Sequence, residues 1–298
     1  MNNPSIETIG LIGLGNMGTP MSARWIAAGL PVRGFDLSAE ARERLARVGG
    51  IACESAIEVA READALVLML PDSRVVASVL DELIFSDSLR NVRIVIDMSS
   101  SEPKESQSHA ATLKPLGIEF IDAPVSGGVG GAASGSLTVM VGGEAAAVGR
   151  ARPVLDAVGS VHHVGPVGAG DAIKALNNLI SATHLWMTSE AIVIAERAGI
   201  RREAALAVFN GSSARSGSSE AKWPKFILNG RFDSGFEGRL MVKDTRIATE
   251  FARSVGLPSS VGDQVASVWS QAVDGLPTGS DHTEIVRWLE HRANEATR

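Results

Sequence analysis

The sequence predicts an α/β protein: a doubly wound, Rossmann-type parallel sheet, then an all-α second half, the two joined by one long helix. Three observations carry this. Through residues 1–166 short apolar runs alternate with amphipathic helical stretches, the pattern of βαβ units. Beyond Gly199 the strand signal stops and only helical spacing remains. Between the two lies Gly165–Ala198, which opens on Gly165, Gly168 and Gly170 and then runs without proline or further glycine.

Taken in order, strands are expected at Ile6–Leu11, Val32–Asp36, Ala65–Leu70, Val92–Asp97, Ile118–Asp122, Leu137–Val141 and Val161–Val164. Helical patterns fall between them at Met17–Ala28, Ala39–Val48, Ala56–Ala63, Arg74–Leu83, Pro103–Leu116 and Ala145–Val158. Ser55 with Glu58 suits a capping box for the third helix. In the long helix, residues 169–198, apolar side chains recur at Ile173, Leu176, Ile180, Met187 and Ile194, and both flanks are largely apolar. That pattern predicts burial on most sides over roughly 45 Å of helix. Trp186 and Met187 read as core. Five further helices follow: Arg202–Phe209, Ser219–Leu228, Gly238–Val255, Ser259–Asp274 and His282–Ala296. The division is a nucleotide-binding domain at 1–166 and a helical domain for substrate and dimerisation at 167–298. Gly211–Ser219, GSSARSGSS, is either a flexible linker or a polar loop facing a substrate.

Composition narrows the function. The chain has 298 residues, a net charge of −6 with both signs interspersed, and no basic block that would suit nucleic acid. No apolar run approaches the roughly 18 residues of a membrane span. The single cysteine, Cys53, excludes an internal disulfide framework. The six histidines lack metal-ligand spacing, so no metal is expected. A first strand near Ile6 leaves no room for a signal peptide, and a cytoplasmic protein is expected.

The segment Gly13-Leu14-Gly15-Asn16-Met17-Gly18 follows an apolar strand and opens a helix. Gly13 permits the tight turn, Gly15 lets backbone approach a pyrophosphate, and Gly18 allows close strand–helix packing. The helix N-terminus offers free N–H groups to the phosphates. Asp36 ends the second strand about 20 residues on, where a carboxylate accepts from the adenosine ribose hydroxyls. A carboxylate there repels a 2′-phosphate, and Leu37 offers no cation, so NAD is expected over NADP. Met69-Leu70-Pro71-Asp72 and Asp97-Met98-Ser99-Ser100 end two more strands on the same edge. Leu70, Pro71 and Ser100 are candidates for the nicotinamide side, although each segment alone could be a strand end or helix cap. Asp122-Ala123-Pro124-Val125-Ser126-Gly127-Gly128 presents a hydroxyl and exposed N–H groups, a nest suited to a carboxylate or simply a glycine-rich turn. Lys174 and Asn178 stand four apart on the long helix with Asn177 beside them, and a lysine in an apolar helix is costly unless paired or working.

With these pieces assembled the chain resembles the β-hydroxyacid dehydrogenase family. Four motifs match in order: GLGNMG, DAPVSGG, GPVGAGDAIKALNN and KDTRIA at Lys243–Ala248. The resemblance implies Lys174 as catalytic acid/base, Ser126, Gly127, Gly128 and Asn178 on the substrate carboxylate and hydroxyl, and Lys243 beside the nicotinamide. Without it the Lys243–Asp244 pair reads as a solvated helix face. Arg24-Trp25 stands where the family usually has Asn-Leu, and Ser100 where threonine is common. The expected reaction moves a hydride between NAD and a small 3-hydroxy acid or its semialdehyde or keto acid. Lys174, with a reference pKa of roughly 10, must be neutral to accept the hydroxyl proton. Two alternatives stay open: an inactive nucleotide-binding or scaffold protein, and an imine-reductase-like enzyme. A homodimer or homotetramer is expected.

Overall fold

The computed structural model describes residues 6–295. It divides into two compact units, the break falling between Lys174 and Ala175. In the first, one sheet contains β1 (Ile9–Ile12), β2 (Val32–Phe35), β3 (Ile51–Ala52), β4 (Ala65–Leu68), β5 (Ile94–Asp97), β6 (Glu119–Asp122), β7 (Val125–Ser126), β8 (Leu137–Gly142) and β9 (Gly159–Gly165). Its order is β3-β2-β1-β4-β5-β6-β8-β7, with β9 on β8. The run β3 to β6 is parallel and has the doubly wound order, reversing direction between β1 and β4. That reversal leaves a crevice at the carboxyl ends of β1 and β4, the place where such sheets take ligands.

The sheet is not parallel throughout, which corrects the sequence reading. β8 runs antiparallel to β6 and β7, while β9 returns parallel to β8. The residues between Ser126 and Leu137 hold only the short helix α6 and its turns, too little chain for a parallel crossover. β3, β7 and α6 are additions to the expected elements, because two-residue strands and a glycine-rich helix carry almost no periodicity. Helices α1 (Gly18–Ala27), α2 (Ala39–Arg47), α3 (Ala56–Arg61), α4 (Ser73–Phe85), α5 (Pro103–Leu113), α6 (Gly128–Ser134) and α7 (Ala145–Asp156) cover both faces. Ile9, Leu11, Val67 and Ile96 pack with Met21 and Trp25 on one face. Leu66, Leu68 and Val95 pack with Val76, Leu80 and Leu83 on the other. Burying each such side chain contributes about 1.5–3 kcal/mol. Trp25 is fully buried and donates to the Val154 carbonyl at 2.7 Å.

The second unit contains most of α8 (Ala169–Arg197), then α9 (Arg202–Asn210), a π-helix at Ser218–Ile227, α10 (Gly238–Ser254), α11 (Ser260–Asp274) and α12 (Ile285–Glu295). Its core gathers Trp223, Trp269, Leu185, Met241, Ile285 and Val286 around Trp186. The Trp186 ring lies 6.2 Å from Trp269 and 5.7 Å from Trp288. α8 is not buried on most sides as the sequence suggests. Ala175, Asn178, Ala182, Leu185, Trp186, Ser189 and Val193 form its buried face, but Ile180, Met187 and Ile194 are 56%, 56% and 64% exposed. Trp186 is core; Met187, one residue on, points out.

Candidate active site

The glycine-rich turn is shaped by contacts that no side chain could share. Gly13 has φ +101°, and a Cβ there would stand 2.1 Å from the Met69 carbonyl oxygen at the end of β4. A Cβ at Gly18 would meet the Gly13 carbonyl oxygen at 2.0 Å. At Gly15 a Cβ would meet nothing within 4 Å, so the backbone there is open for a phosphate to approach. Asn16 is exposed and Met17 half-buried at the same helix entrance. Asp36 is joined to this turn: its Oδ2 accepts from the Leu14 N–H at 2.7 Å and its Oδ1 from the Ser38 N–H at 2.8 Å. Each oxygen keeps a lone pair for a ribose hydroxyl. These residues fit a dinucleotide.

Along the same edge Leu70 and Ser100 are half-buried and Pro71 exposed. The neighbouring Ser99, which no sequence signal distinguishes, accepts from the Leu70 N–H through its Oγ at 2.9 Å and so ties the ends of β4 and β5. Its own N–H donates to Asp97 Oδ1 at 2.9 Å, and Ser101 Oγ donates to Asp97 Oδ2 at 2.8 Å. Asp72 caps α4, accepting from the Arg74 and Val75 N–H groups at 3.0 and 3.1 Å.

In the nest, Gly127 and Gly128 are exposed with φ of +134° and +63°, and Ser126 is half-buried at the end of β7. Asp122 begins the same segment and turns its side chain the other way. It accepts from the Gly168 N–H at 2.7 Å and the Asp171 N–H at 2.9 Å, capping the start of α8. Gly142 and Gly170 pack around it, where a Cβ would come within 2.5 and 2.9 Å of its oxygens. Asp97 and Asp122 stand opposite each other on β5 and β6. Asp171 accepts from Ser106 Oγ at 2.6 Å. Burial, then the charges of Asp122 and Asp97, raise the Asp171 carboxyl well above the usual carboxylate range. Burial also raises Asp97 and Asp122 against the N–H and hydroxyl donors that pull them down. Lys174 lies one turn beyond Asp171 and is 9% exposed.

In the second unit Asn178 is 6% exposed and donates through Nδ2 to Asp244 Oδ2 at 2.5 Å, while Asn177 Nδ2 reaches Asn178 Oδ1 at 3.2 Å. Lys243 Nζ lies 3.5 Å from Asp244 Oδ1. The Lys243–Asp244 pair is therefore no solvated face: Asp244 is 2% exposed and joins Asn178 to Lys243. The signal is present in the sequence. Met241, Asp244, Thr245 and Ala248 are buried at helical spacing, so the aspartate sits inside an apolar stripe. Gly211–Ser219 is not simply a linker, since Ser218 and Ser219 are buried in the start of the π-helix. Arg215 pairs with Glu220 on the surface. Among the described residues no helix is long and apolar enough to cross a membrane, and no cluster of His, Cys, Asp and Glu could hold a metal.

A dinucleotide-binding fold is followed by a helical second unit, and comparison with known proteins gives the class and the family. Residues 8–167 match the NAD binding domain of 6-phosphogluconate dehydrogenase, and residues 168–289 the NAD-binding domain of NADP-dependent 3-hydroxyisobutyrate dehydrogenase. A 2-(hydroxymethyl)glutarate dehydrogenase of Eubacterium barkeri is 36% identical over 253 residues, 84% of each chain. A 3-sulfolactaldehyde reductase of Escherichia coli is 32% identical, covering 90% of each chain. The structure of Mycobacterium tuberculosis 3-hydroxyisobutyrate dehydrogenase with L-serine superimposes with a TM-score of 0.85 at 33% identity, over 95% of this chain and 99% of that one. The chain belongs to the β-hydroxyacid dehydrogenase family and is a hydroxy acid oxidoreductase.

Proposed function

We propose that this chain interconverts a small 3-hydroxy acid and its aldehyde or keto acid, with Lys174 as the general acid/base. The observation that carries the reading is a buried lysine one turn before a buried asparagine, on a helix whose N-terminus is anchored by Asp122. Gly13, Gly15, Asn16, Met17, Gly18 and Asp36 hold the dinucleotide and Leu70, Pro71 and Ser100 its nicotinamide side, and Lys243 is assigned to the cofactor by the family resemblance. When bound, the cofactor takes up or supplies the hydride. Lys174, as the neutral amine, takes the hydroxyl proton as the carbonyl forms and returns it in the reverse direction. Asn178, held by Asp244, orients the substrate oxygen. Ser126 and the N–H groups of Gly127 and Gly128 fix the carboxylate, so that positioning supplies much of the rate.

NAD rather than NADP is favoured by the Asp36 carboxylate and by Leu37, which follows it without a cation. The domain roles follow: nucleotide binding through about residue 166, substrate and self-association beyond it. Ile180, Met187 and Ile194, exposed at intervals of seven on α8, support a homodimer or homotetramer, which the mass in solution decides. A single buried cysteine agrees with a cytoplasmic location.

The test is NADH or NADPH formation with a panel of 3-hydroxy acids, on wild type and Lys174→Ala. Loss of about 10²–10⁴-fold in kcat, with NAD affinity unchanged, is expected of a missing general base. Equal turnover by the variant sinks the assignment, and a wild type that prefers NADP sinks the cofactor reading.

A further inference from the structure

Three carboxyl groups meet inside the first unit, at the carboxyl ends of β5 and β6 and the first turn of α8. Asp97 and Asp122 stand opposite each other on adjacent strands, and Asp122 Oδ2 accepts from the Asp171 N–H at 2.9 Å. All three are buried. Three anions in one dry interior repel each other strongly, so one of them is held as the neutral acid. Their donors decide which. Both oxygens of Asp122 accept from N–H groups, at 2.7 and 2.9 Å. Both oxygens of Asp97 are served as well, by the Ser99 N–H at 2.9 Å and the Ser101 hydroxyl at 2.8 Å. Burial raises the Asp97 carboxyl, but those donors and His109 on α5 pull against it. Asp171 is different: Ser106 Oγ reaches its Oδ2 at 2.6 Å, while its Oδ1 is buried with no partner. A buried carboxylate oxygen left without a donor is costly, whereas the carbonyl oxygen of a neutral acid loses much less. The acid proton then lies in the Asp171–Ser106 contact, since a serine hydroxyl can accept as well as donate. Burial, and then the charges of Asp122 and Asp97, push the Asp171 carboxyl up in agreement, against the hydrogen bonds of Ser106 and Ser101.

Lys174 follows three residues later on the same face of α8 and is also buried. An ionised Asp171 would stabilise the ammonium there and hold back the neutral amine that accepts the hydroxyl proton of the substrate. We propose that Asp171 is a positioning residue for the reaction: as the neutral acid it fastens the first turn of α8 to α5 through Ser106 and adds no anion beside Lys174. This rests on the Lys174 reading above. The groups concerned are Asp97 on β5, Asp122 on β6, Ser106 and His109 on α5, and Asp171 and Lys174 on α8, and all belong to the first unit.

The experiment measures kcat and KM against pH for oxidation of the best 3-hydroxy acid by wild type, Asp171→Asn and Asp171→Ala, with carbon NMR of the aspartate carboxyls beside it. Asp171→Ala should lose about 10- to 100-fold in kcat, and Asp171→Asn, the neutral isostere, should recover most of it. An asparagine variant no better than the alanine variant overturns the proposal. The acid limb of kcat/KM, which reports Lys174 losing its proton, should lie within about 0.3 pH units of wild type in Asp171→Asn. A limb that moves down by about one pH unit or more means that Asp171 works as an anion, and overturns the proposal. Wherever the Asp171 carboxyl titrates by NMR, wild-type kcat should decline at the same pH, and that of Asp171→Asn should not. The NMR needs no turnover and so separates this proposal from the reading it rests on. An aspartate still protonated near neutral pH, whose signal Asp171→Asn removes, supports the neutral acid even if no hydroxy acid is oxidised. No protonated aspartate in wild type, or one that survives in Asp171→Asn, overturns it.

Discussion

Gly13 and Asn178 mark two ways of building a site. Around Gly13 the first unit uses backbone: a positive φ, carbonyls too near for any Cβ, and N–H groups at a helix start, with Asp36 closing the turn through two further N–H groups. Around Asn178 the second unit uses side chains, in a chain from Asn177 through Asn178 and Asp244 to Lys243. Backbone geometry restricts residue type at Gly13 and Gly18, because only glycine fits there. A side-chain network restricts only its own members, and which members meet depends on how helices pack.

Three substitutions would break or sharpen that contrast. The largest effect belongs to Gly13→Ala, which forces a Cβ against the Met69 carbonyl oxygen at a left-handed φ. It should cost about 3 kcal/mol or more in urea unfolding and abolish NAD binding by calorimetry. A variant that binds NAD normally would show the turn to be more pliant than its contacts imply. Next comes Asp281→Ala in the second unit. Asp281 accepts from the Gly235 and Thr283 N–H groups at 2.9 Å each and from the Ser234 and Thr283 hydroxyls at 2.7 and 2.6 Å. Burial pushes its carboxyl up, but the hydrogen bonds from His282, Thr283 and Ser234 outweigh this and hold it well below the usual range. A depressed pKa contributes stability above the unfolded value near 3.8 that is lost as pH falls, so the variant should be weaker by about 2–3 kcal/mol at pH 7 and less so toward pH 3. A difference that is flat with pH would mean the charge is irrelevant.

The smallest effect is Asp171→Asn, and its sign is opposite. A raised folded pKa means the native state holds a proton that the unfolded chain releases, so stability falls as pH rises from about 4 through the folded value. The slope is at most about 1.4 kcal/mol per pH unit for one group. Asparagine carries no charge, so the variant should gain on wild type as pH rises from 5 to 8. Denaturation at both pH values checks this, and a variant that loses ground as pH rises would show that the ionised carboxylate is wanted.

The same contrast explains what is legible in the sequence. GLGNMG and Asp36 can be read directly, and the structure joins them through the Leu14 N–H. The parallel run of β1, β2, β4, β5 and β6 fits the alternation of strands and helices, but the two-residue β3 leaves no such trace. Nor do β7, α6 and the antiparallel run of β8, because glycine-rich segments carry no periodicity. Asp244 reads as surface when its spacing is taken beside Lys243, and as buried only beside Met241 and Ala248. Asp122 reads as the start of a nest, while its side chain caps the helix that bears Lys174, a contact between residues 46 apart in sequence.

By itself the sequence determined the parallel run of the sheet, the nucleotide turn, the helical second half and the family, because local periodicity and glycine geometry are properties of neighbouring residues. Tertiary structure alone decided which face of α8 is buried, that Asp122 holds its first turn, that Asp244 links Asn178 to Lys243, and that Lys222 arrives beside Ser181. Each of these is a meeting of residues far apart in the chain, and packing rather than propensity selects it.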